Sequence, residues 1–553
     1  MPLPIAFPHP HVMAMAPLDA WARMLLNPPA RVPPRYWLRL GFGLFTSSIG
    51  TALTLPERLA LAPILRHQFR RTAGQLDHPA GALLVLGYFR SGTTHLQYLL
   101  NCDPNLAAPT WTQALIPQGY AVSWAFYRWF LVPFLTNTRP QDDVSFGPEW
   151  PAEDDFALCH WGAASSQIGK LALPQRWDHY ARFHDLEGLS KSEFERWRFL
   201  QWAFLAKVAS RIGDRRLLLK SPSHTARLEA MLDLLGPDRT RVIHIRRDPG
   251  AVIRSNLAML RRLGIYHLQP ALDDDELGRR VEEEYFESER RYLAARDRLP
   301  AARRVEVRFD DLRADPIGLL RESYDRLELE WTPAFERNLV RYLDSVREYR
   351  SNRHETVSAA REEAIHARFA PLVAEFEAHG SPTRAVRELP PLEESARRPR
   401  YVRALVATVA MTLIFAVAWA SYTALVRNRH DALVWPLGLV AGMVALRAAR
   451  RGSPALGALA AGVTIGVFIP LAFLNSWTAF YKMKPDVLPE HLYETTMQEL
   501  TAGITIFWVF MGAVTAYRIA SRTRAYPPRS GSSRYDHAAR PPSPVVADPV
   551  STD

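Results

Sequence analysis

The stretch LLVLGYFRSGTTHLQYLL, residues 83–100, places Gly87 and Gly92 at the G-x4-G spacing of a phosphate-binding loop. Glycines there let consecutive backbone amides turn inward, and the helix that follows offers its N-terminus to an anion. Arg90, Ser91, Gly92, Thr93 and Thr94 are the residues placed to contact it. A nucleoside-triphosphate loop carries Lys directly after the second Gly, with Ser or Thr behind it for magnesium. Here Thr93 stands in that place and the cation is Arg90, inside the loop. The difference counts against an ATP-dependent, kinase-like phosphotransferase, which stays as an alternative beside a non-catalytic, membrane-anchored nucleotide-binding module.

Three further motifs could serve the same anion. HIRRDPGAVIRSNLAML (244–260) puts Arg247 at a strand end and Ser255 eight residues on, in the first turns of a helix. A guanidinium and a hydroxyl at that separation can clasp one phosphate. Arg246 is the neighbouring alternative, and because side chains alternate along a strand only one of the two should reach the ligand. LLLKSPSHTARL (217–228) places Lys220 at another strand end, over the same edge as the Gly-rich loop. His224, four residues on, is either a base or a residue that caps and packs the next helix. EYRSNRH (348–354) offers Arg350 and Arg353, which share a face and could close over a phosphate. RPQDDVSFGPEWPAEDDFAL (139–158) gathers carboxylates, of which Glu153, Asp154 and Asp155 begin a helix, where the dipole favours acids in any case.

Spread over roughly Ala80 to Asn352, these motifs resemble the P-loop sulfotransferases, in particular the bacterial broad-specificity family with an RSGTT loop. The resemblance implies transfer of a sulfuryl group from 3′-phosphoadenosine 5′-phosphosulfate to an acceptor hydroxyl or amine, by positioning and electrostatics, with no metal expected. It implies that Arg247 and Ser255 hold the 3′-phosphate. Arg90, Thr93, Thr94 and Lys220 would surround the 5′-phosphosulfate, Lys220 stabilising the leaving phosphate oxygen. RFDDLRADP (308–316) matches the family's late strand and loop. Several other sulfotransferases carry a Glu soon after the loop helix, whereas DPNLAAPTWTQALIP (103–117) has no acid between Asn105 and Pro117. A family-like P-x-E-D-E/D-F-A-L run therefore nominates Glu153 as the base, with Asp155 next.

Positioning these groups requires strands that end in polar loops and are followed by helices. Runs at 82–88, 216–222, 241–249 and 304–312 have that form. The expected fold is an α/β P-loop domain, a three-layer parallel sheet flanked by helices, with ligands at the carboxyl ends of the strands. An all-α transmembrane domain of about four helices follows it.

That second part is read from four apolar segments, roughly 402–426, 432–448, 454–475 and 501–520, each near the length needed to cross about 30 Å of hydrocarbon. Arg397, Arg398, Arg400 and Arg403 precede the first, Arg447, Arg450 and Arg451 divide the second from the third, and Arg518, Arg522 and Arg524 follow the fourth. The positive-inside rule then places the catalytic domain on the cytoplasmic face of a bacterial inner membrane. Expected boundaries are an N-terminal helical, membrane-interfacial segment (1–79), the sulfotransferase-like domain (80–377), a Pro-rich charged linker (378–400), the transmembrane domain (401–522) and a disordered tail (523–553).

YWLRLGFGLFTSSIGTALTLP (36–56) is apolar and aromatic. If it spanned, an odd number of crossings would set the catalytic part opposite the Arg-rich loops, so an interfacial helix fits better. The formal charge of +11 carries no long Lys/Arg block, which argues against nucleic acid as a partner. Only Cys102 and Cys159 occur, which suits a reducing compartment, and the N-terminal residues lack the pattern of a cleaved signal. Trp111, Trp124, Tyr127, Trp129 and Phe130, after the loop helix, would suit a hydrophobic or lipid-linked acceptor, or a core.

Overall fold

The computed structural model describes residues 11–124, 126–127, 131, 147–347, 358–378, 401–426, 431–449, 452–483 and 489–521. Strands β1 (Ala82–Leu86), β2 (Leu106–Ala107), β3 (Arg216–Lys220), β4 (Thr240–Arg246) and β5 (Arg304–Arg308) form one parallel sheet in the order β2-β3-β1-β4-β5. All residues of β1 are buried, as befits a central strand covered by helices on both faces. After β1 the chain moves toward β2, and after β4 it moves toward β5. Their C-terminal loops part in opposite directions and leave the crevice in which open α/β sheets bind ligands. β2 has two residues, too few for a pattern to be visible in the sequence. The 304–312 run divides into β5 and a helix at Phe309–Ala314.

The helices that bear on function are α1 (Leu18–Leu26), α2 (Trp37–Arg71), α3 (Thr93–Leu100), α4 (Trp111–Leu115), α5 (Asp154–Gly162), α6 (Pro249–Arg262), α7 (Asp274–Ala295), α8 (Ala359–Glu377), α9 (Tyr401–Val426), α10 (Val434–Ala449), α11 (Pro454–Met483), α12 (Pro489–Thr501) and α13 (Gly503–Ala520). Four segments are long and apolar enough to cross a membrane: Tyr401–Leu425, Asp431–Ala449, Pro454–Asn475 and Gly503–Ala520. Small residues let them pack backbone to backbone. A Cβ at Gly438 would lie 2.0 Å from the Gly512 carbonyl oxygen, and one at Gly457 would lie 2.8 Å from that of Tyr517. This is how helices associate where lipid offers no hydrophobic drive. Between the third and fourth of these segments lie the end of α11 and the helix α12. Of the 378–400 linker only Ala378, at the end of α8, is described, and the 523–553 tail lies outside the described residues.

Residues 11–26 seal one side of the soluble domain. His160 on α5 contacts the Val12 carbonyl oxygen through Nε2 at 2.7 Å. His11 accepts from the Met13 amide at Nδ1, 3.1 Å, which leaves Nε2 to donate to the Tyr266 carbonyl, 2.8 Å. Burial pushes the His160 pKa down to about 4. Burial, aided by Arg39 and His160, pushes that of His11 down to about 3. Unfolded rings titrate near 6.5, so this stability is complete above about pH 6.5 and is lost as the pH falls through the folded values. The loss is on the order of 3 kcal/mol from His160 alone. As the pH falls from about 6.5 to about 4, the hydrogen-exchange protection of residues 11–26, measured relative to the intrinsic rate at each pH, is expected to drop while that of β1 and β4 holds. Equal protection across that range would show that the two rings do not fasten the segment.

Candidate functional site

The loop after β1 owes its shape to backbone that only particular residues allow. Gly87 has φ +137° and Gly92 φ +103°, and Arg90 itself sits at φ +70°, a left-handed conformation that a side chain usually avoids. A Cβ on Gly87 would meet the Ile245 carbonyl oxygen at 2.4 Å, and one on Gly92 would meet the Phe309 ring at 2.3 Å. The loop is thus pressed between the end of β4 and the segment after β5, with Gly92 capping α3. The Gly87 amide donates to Thr225 Oγ1 at 2.8 Å, fastening the loop to the chain that leaves β3. Ser91 Oγ is buried and has no hydrogen-bond partner among the described residues.

Arg90 and Ser255 meet: Nε donates to Oγ at 3.0 Å. Arg247 donates from Nη1 to the Arg90 carbonyl oxygen at 3.3 Å and lies 4.7 Å over the Phe309 ring. Arg246 points the other way, 4.0 Å from Glu377. The structure therefore brings Arg90, Ser91, Gly92, Arg247 and Ser255 into one crevice. Burial lowers the Arg247 pKa, with Asp310 and Asp248 opposing and Arg90 and Arg313 adding repulsion. An anion between the two guanidinium groups would relieve that repulsion. Arg350 and Arg353 lie outside the described residues.

On the other flank, Lys220 at the end of β3 donates to Thr94 Oγ1 at 3.1 Å and to Glu153 Oε1 at 2.5 Å. Glu153 precedes α5, and its second oxygen, Oε2, is buried without a hydrogen-bond partner among the described residues. Thr93 starts α3 and is buried. Asp155 takes no part here: it accepts from Arg227 Nη2 at 2.8 Å and from Ser165 Oγ at 2.5 Å, and is buried. Of the two nominated carboxylates, the structure sets Glu153 beside Lys220 and engages Asp155 in the core.

The residues that hold this pair in place were not evident in the sequence. Asp154 is wholly buried and accepts from Ser221 Oγ at 2.7 Å, Gln201 Nε2 at 2.5 Å and His224 Nε2 at 2.8 Å. Arg227 donates to His224 Nδ1 at 3.2 Å, so the proton of that ring sits on Nε2 and points at Asp154. His224 is thus a clamp. Burial would raise the Asp154 pKa, but His224, Ser221 and Arg227 outweigh it and hold the carboxyl well below the usual range. The sequence hint was adjacency alone, Asp154 beside Glu153 and Ser221 beside Lys220. Trp111 and Tyr127 are buried, so they belong to the core, and Trp124 is half-buried; Trp129 and Phe130 lie outside the described residues.

A phosphate loop on the central strand of a parallel sheet, with a cation and a hydroxyl at the neighbouring strand end, defines a P-loop transferase. Residues 82–333 match the profile described as "Sulfotransferase family". That match falls on the P-loop domain, whose fold and loop are similar to those of that family, and four segments after it are long and apolar enough to cross a membrane. The chain is similar to the omega-hydroxy-beta-dihydromenaquinone-9 sulfotransferase Stf3 of Mycobacterium tuberculosis and of Mycobacterium bovis. Each is 28% identical over 344 residues, which cover 61% of this chain and 84% of the relative. Among solved structures, the sulfotransferase STF9 of Mycobacterium avium aligns with TM-score 0.48 at 20% identity, covering 67% of this chain and 93% of that one. STF1 of Mycobacterium tuberculosis aligns with TM-score 0.45 at 19% identity, covering 64% and 91%.

Asp154→Asn would set an amide donor against the His224 or Gln201 donor. Removing one partner of a buried charged network costs about 3–5 kcal/mol. The expected result is a lower thermal midpoint of the full chain in detergent and weaker turnover. A midpoint equal to wild type would remove Asp154 from the clamp.

Proposed function

We propose that the protein transfers the sulfuryl group of 3′-phosphoadenosine 5′-phosphosulfate to a hydroxyl on a lipid-linked acceptor, at the cytoplasmic face of a bacterial inner membrane. In this reading residues 80–377 are the catalytic unit and 401–522 its anchor. One observation carries it: Arg90 of the phosphate loop touches Ser255 and neighbours Arg247, while Thr94 of the helix start touches Lys220. A single ligand with anionic groups at both ends would engage both flanks. The residues fit such a donor, since the Gly87 and Gly92 positions have no room for a Cβ, Ser91 Oγ has no protein partner among the described residues, and Arg247 reaches the loop backbone while Arg90 reaches Ser255.

When bound, the donor would supply an activated sulfuryl group and a phosphate leaving oxygen. The chain's own residues supply the rest. Arg247 and Ser255 would hold the 3′-phosphate, and the loop amides with Arg90 would orient the 5′ end. Lys220 is shared between Thr94 and Glu153. As negative charge grows on the loop side, its ammonium is drawn there and loosens its hold on Glu153. Glu153, freed on that side, would accept the acceptor's hydroxyl proton. The new bond joins the acceptor oxygen to sulfur, the bond from sulfur to the phosphate oxygen breaks, and its electron pair leaves with the nucleotide.

The lipid-linked acceptor is supported by the relatives named for a hydroxylated menaquinone and by the four apolar helices of this chain. The cytoplasmic placement is supported by the arginines that flank those segments. Mass spectrometry of sulfated lipids from cells with and without the protein tests the acceptor. An unchanged sulfolipid profile would defeat it.

Lys220→Ala and Glu153→Gln are each expected to lower turnover on the order of 100- to 10,000-fold. Binding of adenosine 3′,5′-bisphosphate, read by isothermal titration, should change only a few-fold. Full turnover in either variant would take that residue out of the mechanism.

Arg247→Ala should instead weaken binding of adenosine 3′,5′-bisphosphate by about 10- to 100-fold, the loss of a charge-assisted pair. Tighter binding of ATP than of the bisphosphate by the wild-type chain would favour the phosphotransferase alternative.

A further inference from the structure

Helix α2 is built inside out for a helix on a soluble domain. Its inward face is small and polar: Gly43 lies against Trp21, Gly50 against the Met15 backbone, Ser47 Oγ accepts from Trp21 Nε1 at 2.8 Å, and Thr54 is buried. Its outward face is large and apolar. Leu38 is 89% exposed, Phe45 62% and Leu59 65%, and Phe42, Ile49, Leu53, Leu55 and Ile64 are exposed with them. Along the exposed stripe from Gly41 to Pro56 there is no charged residue. These side chains stay exposed with every described residue of α9 to α13 present. Amphipathic helices of soluble domains show the reverse pattern, and exposed apolar patches of this extent mark contact with another apolar phase.

The bilayer is the occupant the observations favour. The same chain carries four segments able to cross a membrane, so a lipid surface is always near. The helix itself cannot cross, because the domain grips it along its length. Arg39 donates to the His267 carbonyl oxygen at 2.5 Å near one end, and Phe69 packs on Phe199 and Trp202 near the other. Between them Glu57 accepts from the amides of Ala121, Val122 and Ser123 at 2.5 to 3.1 Å. The exposed stripe from Leu38 to Ile64 is about 40 Å long at 1.5 Å per residue, a full helix side laid flat. Tyr36 and Trp37, with Arg35 over the Tyr36 ring at 4.9 Å, supply the amphipathic residues that settle at headgroup level.

We infer that α2 lies in the plane of the membrane with its apolar face among the acyl chains, seating the sulfotransferase domain on the lipid surface. This seat is independent of the acceptor's identity. It also has a geometric consequence. Val122 and Phe126, both exposed, sit on the segment that Glu57 and Leu53 hold to α2, Tyr127 OH donating to the Leu53 carbonyl at 2.9 Å. These two side chains would touch the same lipid surface as α2.

The test uses the full chain in phosphatidylcholine–phosphatidylglycerol vesicles. Both native cysteines are buried, so a nitroxide reagent goes to an introduced one. Phe42→Cys, Phe45→Cys, Ile49→Cys and Leu59→Cys are labelled in turn, with Ser48→Cys and Arg66→Cys beside them. At the four apolar positions, collision with oxygen should exceed collision with a water-soluble nickel chelate at least several-fold, and the ratio should invert at Arg66. Free access of the nickel chelate at Phe45 and Ile49 would overturn the inference. So would shielding from both reagents, which would mean that a second copy or the membrane helices cover the face. If the labels prove embedded while no sulfated lipid is found, the acceptor proposal fails and the seat stands.

Discussion

One buried negative charge organises the flank of the candidate site that holds Lys220 and Glu153. Asp154 has no access to water, so it must find its counter-groups inside the protein, and it finds them on two separate pieces of chain. Ser221 and His224 follow β3, and Gln201 lies on the helix Lys191–Ile212. Satisfying that charge ties the start of α5 to the end of β3. Glu153 and Lys220, each one residue away, are thereby brought to 2.5 Å. An uncompensated carboxylate at this depth would cost several kcal/mol, on the order of 3–5, which is why its partners are drawn from both pieces of chain.

The flank at the Gly-rich loop depends on a different constraint, the close approach of backbones. β1 and β4 are adjacent, and the turn at Gly87 comes so near Ile245 that only hydrogen fits. The loop can then present its amides and Arg90 to the crevice where Ser255 and Arg247 already stand. Phe309, just after β5, supplies a flat surface under Arg247 and a wall beside Gly92. A site that works by positioning and charge needs this rigidity.

The membrane helices and α2 solve opposite problems with the same residue types. In α10 and α13 glycines bring backbones together so that a bundle can form where every side chain is already in an apolar phase. In α2 glycines and small polar residues are turned inward, letting Trp21 and Met15 lie close, while bulky apolar residues face out.

Much of this could be read from the chain alone. Period and length announce β1, β3, β4 and the four apolar segments, because strand alternation, loop chemistry and hydrocarbon thickness act on consecutive residues. The Gly87–Gly92 loop and its unusual Arg90 are local facts too. What the sequence left open was which of several similar groups faces which partner. Arg247 and not Arg246 turns to the loop, Glu153 and not Asp155 meets Lys220, and His224 is a clamp, because each answer depends on chain segments tens of residues away. Thr225 and Phe309 carry no motif at all; they matter only because the sheet order sets them beside Gly87 and Gly92. Local pattern is written in neighbours along the chain, whereas the choice among equivalent charges is made by burial and distance, which exist only once the chain has folded.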